Sequence, residues 1–348
     1  MRALLIKTSS LGDVVHTLPA LTDASRAIHG LQIDWLVEEA FAEIPSWHPA
    51  VTRVLPVAVR RWRKDLLNVR CDVAWKRLRA ALDNQSYDLI LDAQGLLKSA
   101  WLGWLADGPR AGLDRASARE ALASLFYHKT YRVAKENHAV ERTRHLFAQA
   151  FNYPLPTTRG SYGIARERVS TSRLEADKLM FLHGTTWASK HYPENYWIDL
   201  AKIARRNKFR VVLPWSNDQE LERARRISRA SEALVLDKLS LRDLAKELAT
   251  AGACIAVDSG LGHMACALGV PTLSLYGPTK PALTSTYGDS QKALAVQFPC
   301  APCLHRKCQY RDGPTAEAVC FDTLTPTRIW TELQWALSRQ GPLALAAS

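Results

Sequence analysis

Three stretches of this 348-residue chain carry side chains that could act on an anionic group. The segment VDSGLGH, residues 257–263, follows an apolar run and opens a helical pattern. The N–H groups of its first turn and the helix dipole would therefore face a negative charge such as a diphosphate. Gly260 and Gly262 would let the backbone come close, although a helix start capped by Asp258 or Ser259 without any ligand explains the same residues equally well. Asp13 follows Gly12 in the first strand-to-helix loop, where a carboxylate could take a proton from an attacking hydroxyl. Aspartate at such a place more often caps the helix. Lys190, in the loop HGTTWASKHYP, could stabilise a departing anion, and a solvated loop lysine would look the same in sequence.

Competing nucleotide motifs are absent. There is no G-x-x-x-x-G-K-[ST], and the pair Gly260 and Gly262 is followed by Ala265 where a dinucleotide fingerprint needs glycine. The chain also has no Asp-x-Asp pair, the arrangement that often holds a divalent ion on a sugar nucleotide. If the donor is a nucleotide sugar, protein groups must supply the positive charge, and a metal-free transferase is expected.

A basic run, Arg60, Arg61, Arg63 and Lys64 around Trp62, continues through Arg70, Lys76, Arg77 and Arg79. Arg119, His138, Arg142 and Arg144 add positive side chains to the same half. A solvated helix face is the usual meaning of such a run; phosphate recognition on a nucleic acid or a phosphorylated lipid is the functional one. The formal net charge of +12 predicts an anionic partner without choosing among nucleic acid, membrane surface and phosphorylated substrate. Four of the seven cysteines fall late, Cys300, Cys303, Cys308 and Cys320, with His305 among them. Reduced thiols are the expectation for a cytosolic chain; a tetrahedral structural zinc clip is the alternative, with no open position for substrate.

These groups must be positioned by an alternating strand and helix pattern. Apolar strands are read at residues 3–6, 31–37 and 88–92, with one amphipathic helix running on from Asp13 through Ala27. A polar, arginine-rich stretch at 157–177 reads as a linker. Strands follow at 179–183, 210–215, 233–236, 254–257 and 272–276, with helices at 194–206, 218–230, 241–251 and from Ser259. Alternation of this kind predicts an α/β fold of two doubly wound parallel domains, at 1–160 and 175–323, with ligands in a cleft at the carboxyl ends of the strands. Thr325 and Pro326 start a closing helix over 324–340, and residues 341–348 read as a frayed tail. The N-terminus fits neither a signal peptide nor a membrane span, which makes the cytosol the default expectation.

The segments KTSSLGDVVHTLPAL (7–21), VEEAFAEIPSWHPAVTRVLPVAVRRWRK (37–64), LDAQGLLKSA (91–100), REALASLFYHK (119–129), HAVERTR (138–144), LHGTTWASKHYP (182–193), LPWSNDQELERA (213–224) and VDSGLGHMACALGVPTLSLYGPT (257–279) together resemble the heptosyltransferases of glycosyltransferase family 9. The resemblance spans nearly the whole chain. It implies a GT-B fold, two Rossmann-like domains facing a central cleft, and inverting, metal-independent transfer of L-glycero-D-manno-heptose from ADP-heptose to the Kdo of Kdo2-lipid A. No cofactor is implied. Asp13 is the implied general base and Lys190 the stabiliser of the departing diphosphate. Thr185, Thr186, Glu220, Leu239, Asp258, Ser259, Gly260 and His263 are the implied donor set, with Glu220 on the ribose. Arg60, Arg61, Arg63, Lys64, Arg119, His138, Arg142 and Arg144 are the implied acceptor surface for a lipid A-type glycolipid. Peripheral contact with an anionic inner-membrane surface from the cytoplasmic side is expected, and nucleic acid is not. A transferase adding heptose elsewhere in the core and a non-catalytic basic RNA- or membrane-binding protein are the alternatives.

Overall fold

The computed structural model describes residues 1–65, 68–83, 85–310 and 318–338. The chain divides into two compact units, Met1–Ile164 and Ala165–Ser348. The expected ends of the closing helix, at 339–340, and the expected tail lie outside the described residues.

The first unit is built on β1 (Arg2–Ile6), β2 (Gln32–Glu38), β3 (Val51–Val57), β4 (Leu89–Asp92), β5 (Arg110–Leu113) and β6 (Lys129–Tyr131), all parallel in the order β3-β2-β1-β4-β5-β6. Helices α1 (Leu11–Val15), α2 (Leu18–Ala27), α3 (Glu43–Ser46), α4 (Val59–Trp62), α5 (Val73–Leu82), α6 (Leu97–Trp104) and α7 (Ala139–Phe151) connect and cover it. Leu4 and Ile6 of β1 pack with Trp62, Leu78 and Leu102 into one core, each buried side chain contributing about 1.5–3 kcal/mol relative to exposure. The single helix expected from Asp13 to Ala27 is two, α1 and α2, broken at His16 and Thr17. Pro19 in the first turn of α2 causes the break, because a continuous helix would set its ring against the carbonyl of residue 15.

The second unit repeats the same winding with β7 (Glu175–Leu182), β8 (Arg210–Leu213), β9 (Leu234–Val235), β10 (Ala251–Val257), β11 (Thr272–Tyr276) and β12 (Gln291–Ala295), ordered β12-β11-β10-β7-β8-β9. Its helices are α8 (Glu194–Arg206), α9 (Asp218–Ser231), α10 (Leu241–Thr250), α11 (Gly260–Ala267), α12 (Pro281–Thr284) and α13 (Pro326–Ser338). Trp197, Phe181, Tyr192 and Phe321 fill the core beneath α8 and α13. Strand β8 stops at Leu213, short of the expected Trp215, because Pro214 has no N–H to donate to the ladder.

In each unit the first and fourth strands are neighbours: β1 pairs β4, and β7 pairs β10. The strand order reverses at that pair, so the loops leaving their carboxyl ends diverge and leave a crevice. Those loops are 7–10 and 93–96 in the first unit, and 183–187 and 258–259 in the second.

Candidate active site

In the second unit the loops after β7 and β10 are tied together at the switch point. Thr185 Oγ1 donates to the Asp258 carbonyl at 3.2 Å. Lys190 Nζ lies 2.7 Å from Asp258 Oδ2, with the lysine 16% and the aspartate 8% exposed, and Thr279 Oγ1 donates to the same oxygen at 2.6 Å. The ammonium also sits 4.5 Å from the centre of the Trp187 ring. Lys190 is thus held by an anion and an aromatic face rather than solvated, and the Asp258 carboxylate is committed to it.

Beyond Asp258 the chain turns into α11 with Ser259 as N-cap, making no side-chain cap hydrogen bond, and its Oγ is buried without a partner. The N–H groups of a first helical turn have no partner within the helix. A polar cap of this kind can receive phosphate oxygens. Gly262 lets α11 settle on β10, since a Cβ there would come 3.1 Å from the Ala256 Cβ. His263 is buried in the same turn.

Glu220 begins α9 after β8, where its Oε2 accepts from the Ser216 N–H at 2.8 Å and the Ser216 hydroxyl at 2.7 Å. Its other oxygen approaches Gly184 so closely that a Cβ there would stand 2.5 Å from Oε1. Glycine at 184 is what lets the carboxylate reach the loop after β7. Leu239 is half-buried ahead of α10, and Thr186 is exposed. Trp215, which the sequence reading left out, donates from Nε1 to the Leu236 carbonyl at 2.7 Å and sets a flat apolar wall in this region. Its place at the end of the expected strand 210–215 was the available signal.

In the first unit Asp13 lies in α1, half-buried, and its Oδ2 accepts from the Ser10 N–H at 2.7 Å and the Ser10 hydroxyl at 3.0 Å. It is therefore a helix-capping carboxylate, and its Oδ1 has no hydrogen bond among the described residues. Asp13 thus lies inside the helix rather than in the expected loop, and the loop ahead of α1 is fastened to the loop after β4 by Gln94, whose Oε1 accepts from the Thr8 N–H at 2.6 Å and the Thr8 hydroxyl at 2.9 Å. Lys7 donates to the Ala93 carbonyl at 2.9 Å, and burial pushes its ammonium below the ordinary lysine value against the attraction of Asp13 and Asp92. Asp92 is buried and accepts from Tyr127 at 2.6 Å and Ser99 at 2.7 Å; burial raises it above the usual carboxylate range. Lys7 and Gln94 stand inside the motifs quoted above, but nothing in their spacing singled them out.

The basic residues divide. Arg63, Lys64 and Arg119 are exposed. The Arg60 guanidinium lies 5.1 Å from the centre of the Phe41 ring, and Arg61 is 52% exposed while paired with Glu39 at 2.6 Å and Asp72 at 3.0 Å. His138 caps α7 through Nδ1 and meets the His16 ring edge to face, with centres 5.7 Å apart. Arg142 donates to the Ser117 carbonyl at 2.9 Å. Arg144 does not belong to an acceptor surface: its side chain is 3% exposed, paired with Asp23 at 2.6 Å and Glu141 at 3.0 Å, and it donates to the Thr158 carbonyl at 2.8 Å. A charge that deep is stable only where its donors are satisfied by protein, which is what these partners do.

The seven cysteines are free thiols, and among the described residues no three His, Cys, Asp or Glu side chains are gathered to hold a metal ion. Burial, and then the neighbouring thiols of Cys300, Cys308 and Cys303, push Cys320 up to about 12. The loop these cysteines bracket supports the lysine: Ser189 donates from its N–H to the Arg306 carbonyl at 3.2 Å and from its hydroxyl to the His305 carbonyl at 2.5 Å. Arg306 also lies against the Trp187 ring at 5.5 Å.

Residues 75–312 match the model of glycosyltransferase family 9 (heptosyltransferase). The chain is 56% identical to lipopolysaccharide heptosyltransferase 1 of Pseudomonas aeruginosa, covering 96% of this chain and 97% of that protein. It is 48% identical to the Escherichia coli K12 enzyme of the same name, over 84% of this chain and 92% of that one. Among solved structures it is similar to the E. coli heptosyltransferase WaaC with ADP, with a TM-score of 0.85 and 42% identity over 97% of this chain and 100% of that one. The paired Rossmann-like units with their switch-point loops are accordingly a GT-B fold, and the chain belongs to glycosyltransferase family 9, the heptosyltransferases.

Proposed function

We propose that this heptosyltransferase moves L-glycero-D-manno-heptose from ADP-heptose to the Kdo of Kdo2-lipid A, with inversion and without a metal. The observation that carries the donor reading is the cap of α11, where Ser259 Oγ is buried without a partner beside Lys190 and its carboxylate anchor. A diphosphate there gains backbone N–H donors, the helix dipole and the Lys190 ammonium together, so its negative charge is met without a divalent ion. Glu220 accepts from the ribose hydroxyls and Leu239 lies along the adenine. The solved E. coli relative carries ADP, which agrees with this assignment.

On the acceptor side, the free Oδ1 of Asp13 takes the proton of the Kdo hydroxyl as its oxygen bonds to the anomeric carbon. The bond from that carbon to the diphosphate oxygen breaks, and its electron pair leaves with ADP, whose charge Lys190 and the α11 cap stabilise. Arg60, Arg61, Arg63, Lys64, Arg119, His138 and Arg142 meet the phosphates and carboxylates of the glycolipid. Cys300, Cys303, Cys308 and Cys320 serve as a clip behind the Lys190 loop by packing, and take no part in the chemistry. Among the described residues no helix is long and apolar enough to cross a membrane. Contact with the cytoplasmic leaflet is peripheral in this reading.

ADP release from ADP-heptose and deacylated Kdo2-lipid A, measured in EDTA for the wild type and Asp13→Ala, tests the proposal. Turnover by the wild type that is lost in the variant supports it. Turnover only on an acceptor already bearing heptose would reassign the acceptor, and turnover that stops in EDTA would overturn metal independence.

A further inference from the structure

Of the twelve large apolar side chains exposed among the described residues, six stand on just two neighbouring elements, α6 and the 3-10 turn Ala121–Phe126. On α6 they are Leu97, Trp101 and Trp104, 38%, 39% and 62% exposed, at the spacing that places them on one helical face. The opposite face, with Leu102 and Gly103, is buried against β1, close enough that a Cβ at Gly103 would come 2.9 Å from Ile6 Cδ1. This helix is apolar toward the core and toward solvent alike. The turn adds Leu122, Leu125 and Phe126, 59%, 78% and 36% exposed, and is joined to α6 by the Leu97 N–H donating to Glu120 Oε2 at 2.7 Å. Scattered apolar residues on a surface need no explanation; a contiguous set does.

Positive side chains surround the set. Lys98 lies on α6 itself, Arg119 leads into the turn, and Arg110 donates from Nε to the Phe126 carbonyl at 3.1 Å. Trp75 of α5 stacks on Trp101 at 5.6 Å and 13°, and Arg79, one turn further along that helix, donates to the Leu105 carbonyl just past α6 at 3.0 Å. Two carboxylates, Glu38 and Glu120, act on Lys98, and that of Glu120 accepts from the Leu97 N–H.

We propose that α6 and the turn Ala121–Phe126 form a docking face for an anionic bilayer, with the leucines and tryptophans seated at the boundary of headgroups and acyl chains and the basic rim on lipid phosphates. Tryptophan and leucine flanked by lysine and arginine suit that boundary, where an apolar body and a charged edge are both solvated. A second copy of the chain is disfavoured as the occupant, because a self-complementary contact would set two positive rims against each other. The inference deepens the lipid-linked acceptor of the proposed function by naming the surface that meets the lipid.

The test is flotation of the purified full chain with vesicles of phosphatidylethanolamine and phosphatidylglycerol at low salt, comparing the wild type with Trp104→Ser, Leu122→Ser and Leu125→Ser combined. ADP release with deacylated acceptor is measured in parallel. The combined variant should lose vesicle partitioning by about a hundredfold while keeping its turnover, and Leu125→Ser alone, at the most exposed of these positions, guards against misfolding by reproducing part of the loss. Wild-type protein that fails to float, a variant that floats as well as the wild type, or lipid-free dimerisation abolished by the variant would each overturn the proposal. Flotation without turnover on any heptose acceptor would leave the docking face standing and defeat the acceptor assignment instead.

Discussion

Lys190 and Asp258, 68 residues apart in sequence, meet at 2.7 Å where the loops after β7 and β10 converge. The carboxylate orients the ammonium and keeps it partly neutralised until a stronger anion arrives beside it. Lys190→Ala should therefore lower kcat for ADP release by roughly a hundredfold to a thousandfold, the usual effect of removing one donor to a developing anion. Lys190→Arg should recover little, because a planar fork does not replace a point charge at this packed site. Steady-state kinetics against ADP-heptose checks both, and a Lys190→Ala enzyme with wild-type kcat would remove the lysine from the mechanism.

Asp13 combines a capping role with the proposed proton transfer, and two substitutions separate them. Asp13→Ala should lose about 10²–10⁴ in turnover and also about 1 kcal/mol of stability, because Ser10 loses its acceptor. Asp13→Asn should regain most of the stability and none of the turnover, since an amide oxygen can cap but cannot take the proton. Urea denaturation beside ADP-release assays reads the two effects independently.

Arg144 and Arg119 should behave oppositely although the family resemblance implies acceptor contact for both. Arg144→Ala strands Asp23, which is 5% exposed, as an unpaired buried charge, and should cost about 3–5 kcal/mol in chemical denaturation. Arg119→Ala, at an exposed position, should leave stability unchanged and raise KM for the acceptor. A stable Arg144→Ala protein with a raised acceptor KM would reverse this division.

Two histidines of the second unit predict acid sensitivity. Burial, then the nearby Arg223, lowers His191 from 6.5 to about 4, and burial lowers His183 to about 3. An Arg223 N–H points at His191 Nδ1, which can accept only while the ring is neutral. In the unfolded chain both rings titrate near 6.5, so below that pH the unfolded state takes up protons first. Stability should fall as pH drops from about 6.5 toward about 4, by at most about 1.4 kcal/mol per unit for each ring, and neither ring should matter above pH 7. His191→Gln should flatten that limb when urea midpoints at pH 7 and pH 5 are compared.

The alternation of buried strands and amphipathic helices was legible in the sequence because a parallel strand covered on both faces reads as a continuous apolar run: residues 3–6, 254–257 and 272–276 all lie in β1, β10 and β11. The strands that escaped were β3, β5, β6 and β12: the last three are short, β3 is interrupted by Arg53 and by Pro56, which only an edge tolerates, and all except β5 lie at the edge of a sheet. The strand-to-helix turns around Asp13, Lys190 and Asp258 were also visible, since glycine and a capping residue after an apolar run mark such a turn wherever it falls, although Asp13 itself lies in the first turn of α1. Their partners were not. Whether an arginine faces a glycolipid or sits beside Asp23, and whether Asp258 meets a phosphate or holds a lysine, depends on contacts across 121 and 68 residues of chain. Local pattern fixes which face of an element is apolar; only the packing of the sheets decides which charge lies opposite which.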